Sequence, residues 1–358
     1  MKLKVIHTAD IHFDTAFSGL SDAKKASVRR QDLRNTFSKI CALAKNADML
    51  IISGDLFDAK SVSQTTLDFL KNEFSNLGDT RVFISAGNHD YLGTNSVYKT
   101  FNFGPNVYIF GTEPEVVETE YADIYGVSFK TANDNRNLLP EFEIKNPDKI
   151  NLLVMHANLG GENYNPVKPA DIENSGMDYV ALGHIHARSE LKKRGSTFFA
   201  YPGCPEGRGF DETDEKGVLA LEIDKIGVDA KFIPTQERKY LIFEIDVSRK
   251  ASHEEIIDEI KNKSQDNKNI YRFILTGEYE FPIDCRIIED ALDAFECTVV
   301  DKTSPKEDLS RLSGEFSLKG LFTRFAIEDK DDLDDEEFKT ALKTGFSFIE
   351  KEERNENR

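Results

Sequence analysis

Five short apolar runs, each ending in Asp, Asn or His, restrict the fold of this chain more than any other feature. In chain order they read LKVIHTADIH, DMLIISGDLFD, RVFISAGNHD, INLLVMHANLG and YVALGHIH. Their length and their content of Val, Ile and Leu are typical of buried strands. Helical patterns, for example KKASVRRQDLRNTFSKICALAKNA and SVSQTTLDFLKNEFSNLG, separate the early runs. Alternating strands and helices predict an α/β fold with parallel strands.

The polar residues that end these runs are predicted to meet at one edge of the sheet, because α/β proteins bind ligands at the carboxyl ends of parallel strands. The set is His7, Asp10, His12, Asp55, Asp58, Asn88, His89, Asp90, His156, His184 and His186. Each member alone is explained more simply as a turn or capping residue. Five such coincidences, which take in every histidine except His253, are harder to explain by turns.

The residue types in this set point to metal chemistry. Carboxylates, one carboxamide and several imidazoles suit divalent Mn, Fe or Zn. The set offers too many ligands for one ion, and two ions bridged by a carboxylate can hold both oxygens of an in-line phosphoryl displacement. One imidazole would then remain to donate a proton. For His184 and His186 alone, which would share one face if the strand continues through them, solvated or hydrogen-bonded histidines are an equally good interpretation.

Size, charge and cysteine content narrow the function classes. A chain of 358 residues predicts two domains, and four widely separated cysteines predict reduced thiols in a cytoplasmic protein. No apolar run approaches the length of a membrane span, so no membrane association is expected. The net charge of −18 argues against strong DNA binding by the protein alone, since phosphate neutralisation supplies most of that affinity. It permits a phosphate substrate that is held by bound cations.

The motifs together resemble those of the calcineurin-like metallophosphoesterases. They are D-x-H (Asp10, His12), G-D-x-x-D (Gly54, Asp55, Asp58), G-N-H-D (Gly87 to Asp90), the strand-end His156 and G-H-x-H (Gly183 to His186). The flanks HTADIHFDTAFSGL, SGDLFD, YPGCPEGRGFDE and EKGV are similar to the bacterial SbcD and YhaO-like DNA repair exonucleases. These are relatives of the nuclease subunit of the double-strand-break repair complex. The metal motifs span residues 7–186, and weaker similarity extends to about residue 300.

Two departures separate the chain from other branches of the family. Protein serine/threonine phosphatases have an arginine immediately before G-N-H, where this chain has Ala86. Purple acid phosphatases have a tyrosine beside the second-motif aspartate, where this chain has Leu56 and Phe57. Both departures weaken an interpretation of the chain as a member of those branches.

The resemblance implies a two-sheet αββα sandwich with a small α/β cap domain and a helical C-terminal tail. The expected domains are the metallophosphoesterase (nuclease) domain at residues 1–236, the cap at 237–302 and an acidic, helical tail at 303–358. The segment GVLALEIDKIGVDAKFIPT is predicted to be two strands that complete the second sheet. In the tail, Leu342, Phe346 and Ile349 are predicted to share one helix face.

The resemblance also implies a role for each site residue. One ion would be held by Asp10, His12 and His186, the other by Asn88, His156 and His184, with Asp55 bridging them. His89 would be the acid that contacts the phosphate, and Asp90 would orient it. Asp58, Asp14 and Arg208 are candidates for contacts that support the ligands or the substrate. Manganese is the expected metal, with iron or zinc as alternatives.

The leading hypothesis is a two-metal DNA phosphodiesterase, an exonuclease that acts in DNA repair with an SMC-like ABC ATPase. Relatives dimerise through helices near the second and third motifs, here residues 61–77 and 94–103, so a homodimer is expected. One alternative is a phosphatase or phosphodiesterase for small nucleotides. A non-catalytic scaffold protein is disfavoured, because no ligand position is missing.

Overall fold

Strands predominate before residue 240, and helices predominate after residue 305. The computed structural model describes residues 2–20, 22–58, 62–330 and 334–356. Its strands are β1 (Leu3–Thr8), β2 (Met49–Ser53), β3 (Arg81–Ser85), β4 (Val107–Ile109), β5 (Glu115–Glu118), β6 (Ala122–Val127), β7 (Ile150–His156), β8 (Asn158–Leu159), β9 (Pro166–Val167), β10 (Tyr179–Gly183), β11 (Lys192–Arg194), β12 (Thr197–Ala200), β13 (Gly217–Ile223), β14 (Val228–Pro234), β15 (Tyr240–Asp246), β16 (Ile270–Thr276), β17 (Glu278–Tyr279), β18 (Glu296–Asp301) and β19 (Ser304–Pro305). Its α-helices are α1 (Ala23–Ala44), α2 (Gln64–Ser75), α3 (Val97–Thr100), α4 (Pro169–Asn174), α5 (His253–Lys263), α6 (Cys285–Asp290), α7 (Leu309–Ser313), α8 (Leu318–Glu328) and α9 (Asp335–Glu356), and a 3-10 helix spans Leu139–Glu141.

Two six-stranded sheets hold the five apolar runs. The first has the order β14-β13-β1-β2-β3-β4, and the second has the order β11-β12-β10-β7-β6-β5. Strands β1 to β4 pair in parallel, and so do β6, β7, β10 and β12. Strands β2, β7 and β10 are buried along their whole length, as expected of parallel strands that are covered on both faces.

Alternation along the strands separates an inner core from an outer one. Ile51 of β2 points between the sheets, where it joins a cluster with Leu152 and Ala181. Its neighbours Leu50 and Ile52 lie on the opposite face, in a cluster with residues of α1 and α2. The outer face of the second sheet is covered by α4. The predicted two-sheet sandwich with helices on both outer faces is therefore confirmed.

Two details of the predicted sandwich are wrong. The five polar strand ends do not share one sheet, since β1, β2 and β3 belong to the first sheet and β7 and β10 to the second. The β13–β14 hairpin extends the first sheet rather than the second, because β13 pairs antiparallel with β1 from Leu3 to His7. This pairing covers the edge of β1 that β2 leaves open, and an open edge would otherwise expose unpaired backbone groups.

The chain divides into two compact units. The first comprises residues 1–243, 261–273 and 292–298, and the second comprises residues 244–260, 274–291 and 299–358. The expected domain boundaries, after residues 236 and 302, differ from the limits of these units and stay predictions. Position 61 of the expected dimer helix and positions 331–333 of the acidic tail lie outside the described residues. No helix in the described ranges is both long and apolar enough to cross a bilayer.

The second unit has a helical core of its own. Leu312, Phe338, Leu342 and Phe346 are buried together there, and Ile349 is also buried. The predicted shared face of the last helix is thus present. Helix α8, which lies in the tail predicted to be helical, begins after Ser317, whose hydroxyl accepts a hydrogen bond from the Gly320 N–H.

Candidate metal centre

The polar strand ends of both sheets converge in one cluster. Asp10 and His12 follow β1, Asp55 follows β2, Asn88 and His89 follow β3, His156 ends β7, and His184 and His186 follow β10. Backbone hydrogen bonds join the loops, since the His12 N–H donates to the Asp55 carbonyl and the Asp10 N–H to the Gly54 carbonyl, each at 3.0 Å. The predicted ligands therefore lie together although they come from two sheets.

The backbone is strained at several of these residues. Asp10, His12, Asp55 and His184 have φ values of 53°, 55°, 50° and 102°. Left-handed conformations of this kind cost non-glycine residues about 1–3 kcal/mol each, and they cluster at functional sites. The strain turns these side chains back toward the cluster directly after their strands.

Two motif glycines make room for the ligands. A Cβ atom at Gly54 would overlap the ring of His156, and one at Gly183 would overlap the backbone carbonyl of Ser53. Gly54 also has a φ of 93°. The glycines before Asp55 and His184 are thus required by close packing of the two sheet edges.

Asp55 lies between two groups of imidazoles. Its Oδ2 is 3.8 Å from His12 Nε2 on one side and 3.4 Å from His156 Nε2 on the other. Its Oδ1 accepts a hydrogen bond of 2.9 Å from the His89 N–H, which fixes the carboxylate. Asp55 therefore lies between the two groups, and its bridging role stays a prediction.

Each side of Asp55 offers further ligand atoms. On one side, His12 Nε2 and His186 Nε2 are 3.3 Å apart, and Asp10 Oδ1 is 3.8 Å from His186 Nε2. On the other side, Asn88 Oδ1 is 3.0 Å from His156 Nε2, and the ring centroid of His184 is 5.1 Å from that of His156. Among the residues that the structure describes, three overlapping groups have ligand atoms within 4.8 Å of one another: Asp10, His12 and His186; His12, Asp55 and His89; and Asp10, Asp55 and His156.

Burial keeps several of these side chains uncharged. It lowers the pKa of His156 to about 3 and those of His12 and His184 to about 4. Burial, with the nearby Asp55 carboxylate, raises the pKa of Asp10 to about 7. A divalent cation binds imidazoles in their neutral form, and it supplies the charge that compensates nearby carboxylates. The donor set therefore fits divalent metal ions.

The His89 ring is held by Asp58 rather than by Asp90. The ring Nδ1 lies 3.2 Å from the Asp58 carbonyl and 3.4 Å from its Oδ1. The buried Asp90 carboxylate instead accepts hydrogen bonds from the Gly87 N–H, the Phe57 N–H and the Tyr98 hydroxyl. Asp90 thus contacts the backbone of the G-N-H-D loop, and Asp58 contacts the imidazole. The orienting role expected of Asp90 stays a prediction, to which these contacts add Asp58 as a second candidate.

Asp58 also links His12 and Arg208. Its Oδ1 is 3.2 Å from His12 Nδ1 and 3.4 Å from Arg208 Nη1. Burial acts to raise the pKa of Asp58, but the hydrogen bond with His12 holds it at about 2. Asp58 is therefore an ionised carboxylate that contacts the Nδ1 atoms of two imidazoles, those of His12 and His89.

Glu212 is a site residue that the sequence analysis misses. Its Oε1 lies 2.6 Å from His186 Nδ1, and its Oε2 accepts a hydrogen bond of 2.7 Å from the Arg208 N–H. Burial acts to raise the pKa of Glu212, but the His186 hydrogen bond and the Arg208 charge hold it at about 2. A carboxylate on the outer nitrogen leaves the inner nitrogen of His186 for a metal.

Asp14 and His7 lie outside the cluster. The Asp14 carboxylate accepts hydrogen bonds from the Ser63 N–H at 2.7 Å and the Thr66 hydroxyl at 2.6 Å, so it fixes the start of α2. His7 is fully buried, with ring nitrogens 2.9 Å from the Tyr179 hydroxyl and 3.1 Å from the Ser53 hydroxyl. Both residues therefore have structural contacts.

Glu212→Gln is expected to weaken metal binding by about 10- to 100-fold, the usual effect of losing a carboxylate behind a ligating histidine. The amide keeps the size of the side chain but loses the charge that orients His186. Calorimetric titration with Mn²⁺ measures the change. Glu215→Gln is the matched control, because Glu215 is exposed and pairs with Lys239. Equal affinities of the two variants would exclude the role of Glu212.

The calcineurin-like phosphoesterase family matches residues 3–188 of the chain, and the chain belongs to this family. The match confirms the resemblance inferred from the motifs. Members bind divalent metals, in agreement with the Asp and His groups described above.

Relatives of the chain include nucleases at modest identity. The uncharacterized metallophosphoesterase YhaO of Bacillus subtilis is 29% identical over 247 residues, which cover 64% of this chain and 60% of the relative. The DNA double-strand break repair protein Mre11 of Methanopyrus kandleri is 25% identical over 285 residues, covering 71% and 61%. The SbcD component of the nuclease SbcCD from Staphylococcus epidermidis is 24% identical over 315 residues, covering 77% and 79%. The chain thus spans about three fifths of the length of the first two relatives.

Proposed function

We propose that the protein is a two-metal phosphodiesterase that hydrolyses DNA, as an exonuclease, in complex with an SMC-like ABC ATPase. The observation that carries the proposal is the buried Asp55 carboxylate between two groups of imidazoles, with His89 beside it. Asp10, His12 and His186 would hold one ion, Asn88, His156 and His184 the other, and Asp55 both. Two divalent cations, with Mn²⁺ as the expected metal, supply positive charge that stabilises an in-line displacement at phosphorus.

The chain's own groups account for proton transfer and substrate binding. The His89 side chain is 43% exposed, unlike the fully buried His12 and His156, so it can reach a substrate. His89 is proposed to donate a proton to the leaving oxygen, with Asp58 holding the ring in place. Arg208, beside Asp58, is proposed to bind a phosphate oxygen.

DNA is favoured as the substrate class by the nuclease and DNA-repair names of the relatives. The net charge of −18 favours a partner that supplies part of the DNA affinity. A phosphodiesterase for small nucleotides is the second candidate, because the cluster needs only a phosphate ester.

Hydrolysis assays of the Mn²⁺-loaded protein test the proposal. The substrates are end-labelled duplex DNA, bis(p-nitrophenyl) phosphate and a cyclic nucleotide, each with an EDTA-treated control. The proposal predicts metal-dependent release of nucleotides from the duplex as well as hydrolysis of the chromogenic diester. Hydrolysis of the small substrates without any DNA cleavage would favour the second candidate. Failure on all three substrates would favour a scaffold protein.

The tail is proposed to dock the ATPase through exposed apolar side chains of α8. Leu318, Leu321 and Phe325 are 59%, 42% and 57% exposed. Phe325→Glu is expected to abolish co-purification with the co-expressed ATPase and to leave diester hydrolysis unchanged, because a buried charge opposes an apolar interface. Ile226→Glu is the control, since Ile226 is 94% exposed in the turn between β13 and β14. Co-purification of the Phe325→Glu variant would place the docking surface elsewhere.

Deletion of the tail is a broader form of the same experiment. Removal of residues 303–358 should keep phosphodiesterase activity, since every proposed ligand precedes residue 187. This deletion also removes β19, which pairs with β17, so the point variant is the cleaner measurement.

A further inference from the structure

A pocket of about 510 Å³ opens in the first unit beside the metal cluster. Its walls include Phe17, Arg208, Phe210, Tyr240, Arg272 and Glu296. The volume lies within the range of roughly 300–1,000 Å³ that is usual for small-molecule sites. Apart from Arg208, none of these side chains has a part in the function proposed above.

One wall of the pocket carries stacked flat groups. The rings of Phe210 and Tyr240 meet edge to face, with centroids 5.1 Å apart and planes at 82°. The Arg272 guanidinium lies over the Phe210 ring, 3.9 Å from its centroid. Aromatic rings and arginine guanidinium planes are the surfaces on which proteins stack unpaired nucleobases.

Two arginines in the wall have donors that the protein does not use. The Nε atoms of Arg208 and Arg272 are buried and have no hydrogen-bond partner among the described residues. The Glu296 carboxylate in the same wall lies 2.8 Å from Lys25 Nζ, so a lysine compensates its charge. Because both arginines line the pocket, a ligand that brings acceptor oxygens is favoured, and phosphate suits arginine guanidinium groups best.

Arg208 connects the pocket with the metal cluster. Its Nη1 is 3.4 Å from Asp58 Oδ1, and its Nη2 is 3.3 Å from His186 Nδ1. Asp58 also contacts the proposed acid His89. A phosphate bound at Arg208 from the pocket side is therefore next to the groups proposed to cleave a phosphodiester.

We propose that this pocket binds one nucleotide of the substrate, the one that flanks the scissile phosphate. Its base stacks on the Phe210 and Arg272 wall, and its phosphate accepts hydrogen bonds from Arg208 and Arg272. This proposal rests on the proposed phosphodiesterase function and adds a requirement to it. A base can enter the pocket only after it leaves the duplex stack, so the enzyme selects frayed or unpaired strand ends.

Binding measurements separate this proposal from the question of activity. Labelled single-stranded oligonucleotides are compared by fluorescence anisotropy in the metal-loaded His89→Gln background, which slows cleavage. One oligonucleotide carries all its bases, and the other has base-free tetrahydrofuran residues at the last two positions of both ends. Phe210→Ala is compared with Phe198→Ala, because Phe198 also has a cation over its ring, that of Lys193, but lies outside the pocket.

The pocket predicts that Phe210→Ala raises the Kd of the base-bearing oligonucleotide by about 5- to 150-fold, the range that stacking of one base contributes. Phe210→Ala should leave the Kd of the base-free oligonucleotide unchanged. Phe198→Ala should change the Kd of neither oligonucleotide, and Phe210→Tyr should have the same Kd values as the His89→Gln parent protein. Arg272→Gln should weaken binding of both oligonucleotides, and of the base-bearing one more strongly, because Arg272 is proposed to contact the base as well as the phosphate. This second variant guards against local misfolding of the first. Equal Kd values of the two oligonucleotides for the parent, or an equal rise of both in Phe210→Ala, would overturn the proposal.

Competition with free compounds shows whether the pocket recognises the base of a nucleotide or only its sugar phosphate. Thymidine 5′-monophosphate and deoxyribose 5-phosphate are used to displace the labelled oligonucleotide. Displacement by the nucleotide alone, with base-dependent oligonucleotide binding, supports the pocket. If the pocket shows base-dependent binding but the active enzyme cleaves no DNA, the DNA proposal fails while the nucleotide site stands.

Discussion

Asp55→Asn is expected to leave the purified protein with few of its bound metal ions and with phosphodiesterase activity near background. The carboxylate lies between imidazoles of both sides, 3.8 Å from His12 Nε2 and 3.4 Å from His156 Nε2. An asparagine offers a single neutral oxygen, so neither ion keeps the charge that the carboxylate supplies. Inductively coupled plasma mass spectrometry on the variant, after loading with Mn²⁺ and desalting, measures the number of ions per chain.

Asp14→Asn is the matched control for this experiment. Asp14 follows β1, as Asp10 does, but its carboxylate holds Ser63 and Thr66 at the start of α2. The same chemical change there should leave two ions bound. Two ions retained by Asp55→Asn would refute the bridging position, and equal loss in both variants would indicate general destabilisation instead of a lost ligand.

The polar strand ends were predictable because their signal is local. An apolar strand followed at once by Asp, Asn or His can be recognised from the sequence, as at Asp10, Asp55 and His156. The distribution of these strands over two sheets has no local signal. It depends on which strand pairs with which, and β1 pairs with β13 across more than 200 residues. The sequence therefore predicts the members of the cluster better than the sheets that position them.

The supporting contacts were harder to predict because they depend on side-chain direction. Asp90 follows His89 in the chain, yet its side chain turns inward to the Gly87 and Phe57 N–H groups. Asp58, 31 residues earlier, reaches the His89 ring instead. Glu212 lies 26 residues after His186 in a loop rich in Pro and Gly, and its only sequence signal is that this loop follows the G-H-x-H motif.

His89→Gln is expected to lower turnover by about 10²–10⁴-fold, the usual contribution of a general acid, while metal content stays at two ions per chain. The His89 imidazole is the most exposed one at the cluster, and its Nδ1 contacts Asp58, which leaves Nε2 to face a substrate. Glutamine keeps a polar side chain of similar reach but cannot donate a proton from a charged form. Steady-state kinetics on bis(p-nitrophenyl) phosphate, with metal analysis of the same sample, measures both quantities.

Metal content decides between two roles for His89, because geometry alone permits either. His89 belongs to one candidate group with His12 and Asp55, whose ligand atoms lie within 4.8 Å of one another. Loss of an ion from His89→Gln would therefore make His89 a ligand and leave the acid unassigned. Full activity with both ions bound would mean that another group donates the proton, and His186 and Asp58 would be tested next. A slow variant that retains both ions is the result that the proton-donor role requires, since only a group outside the coordination sphere separates binding from chemistry in this way.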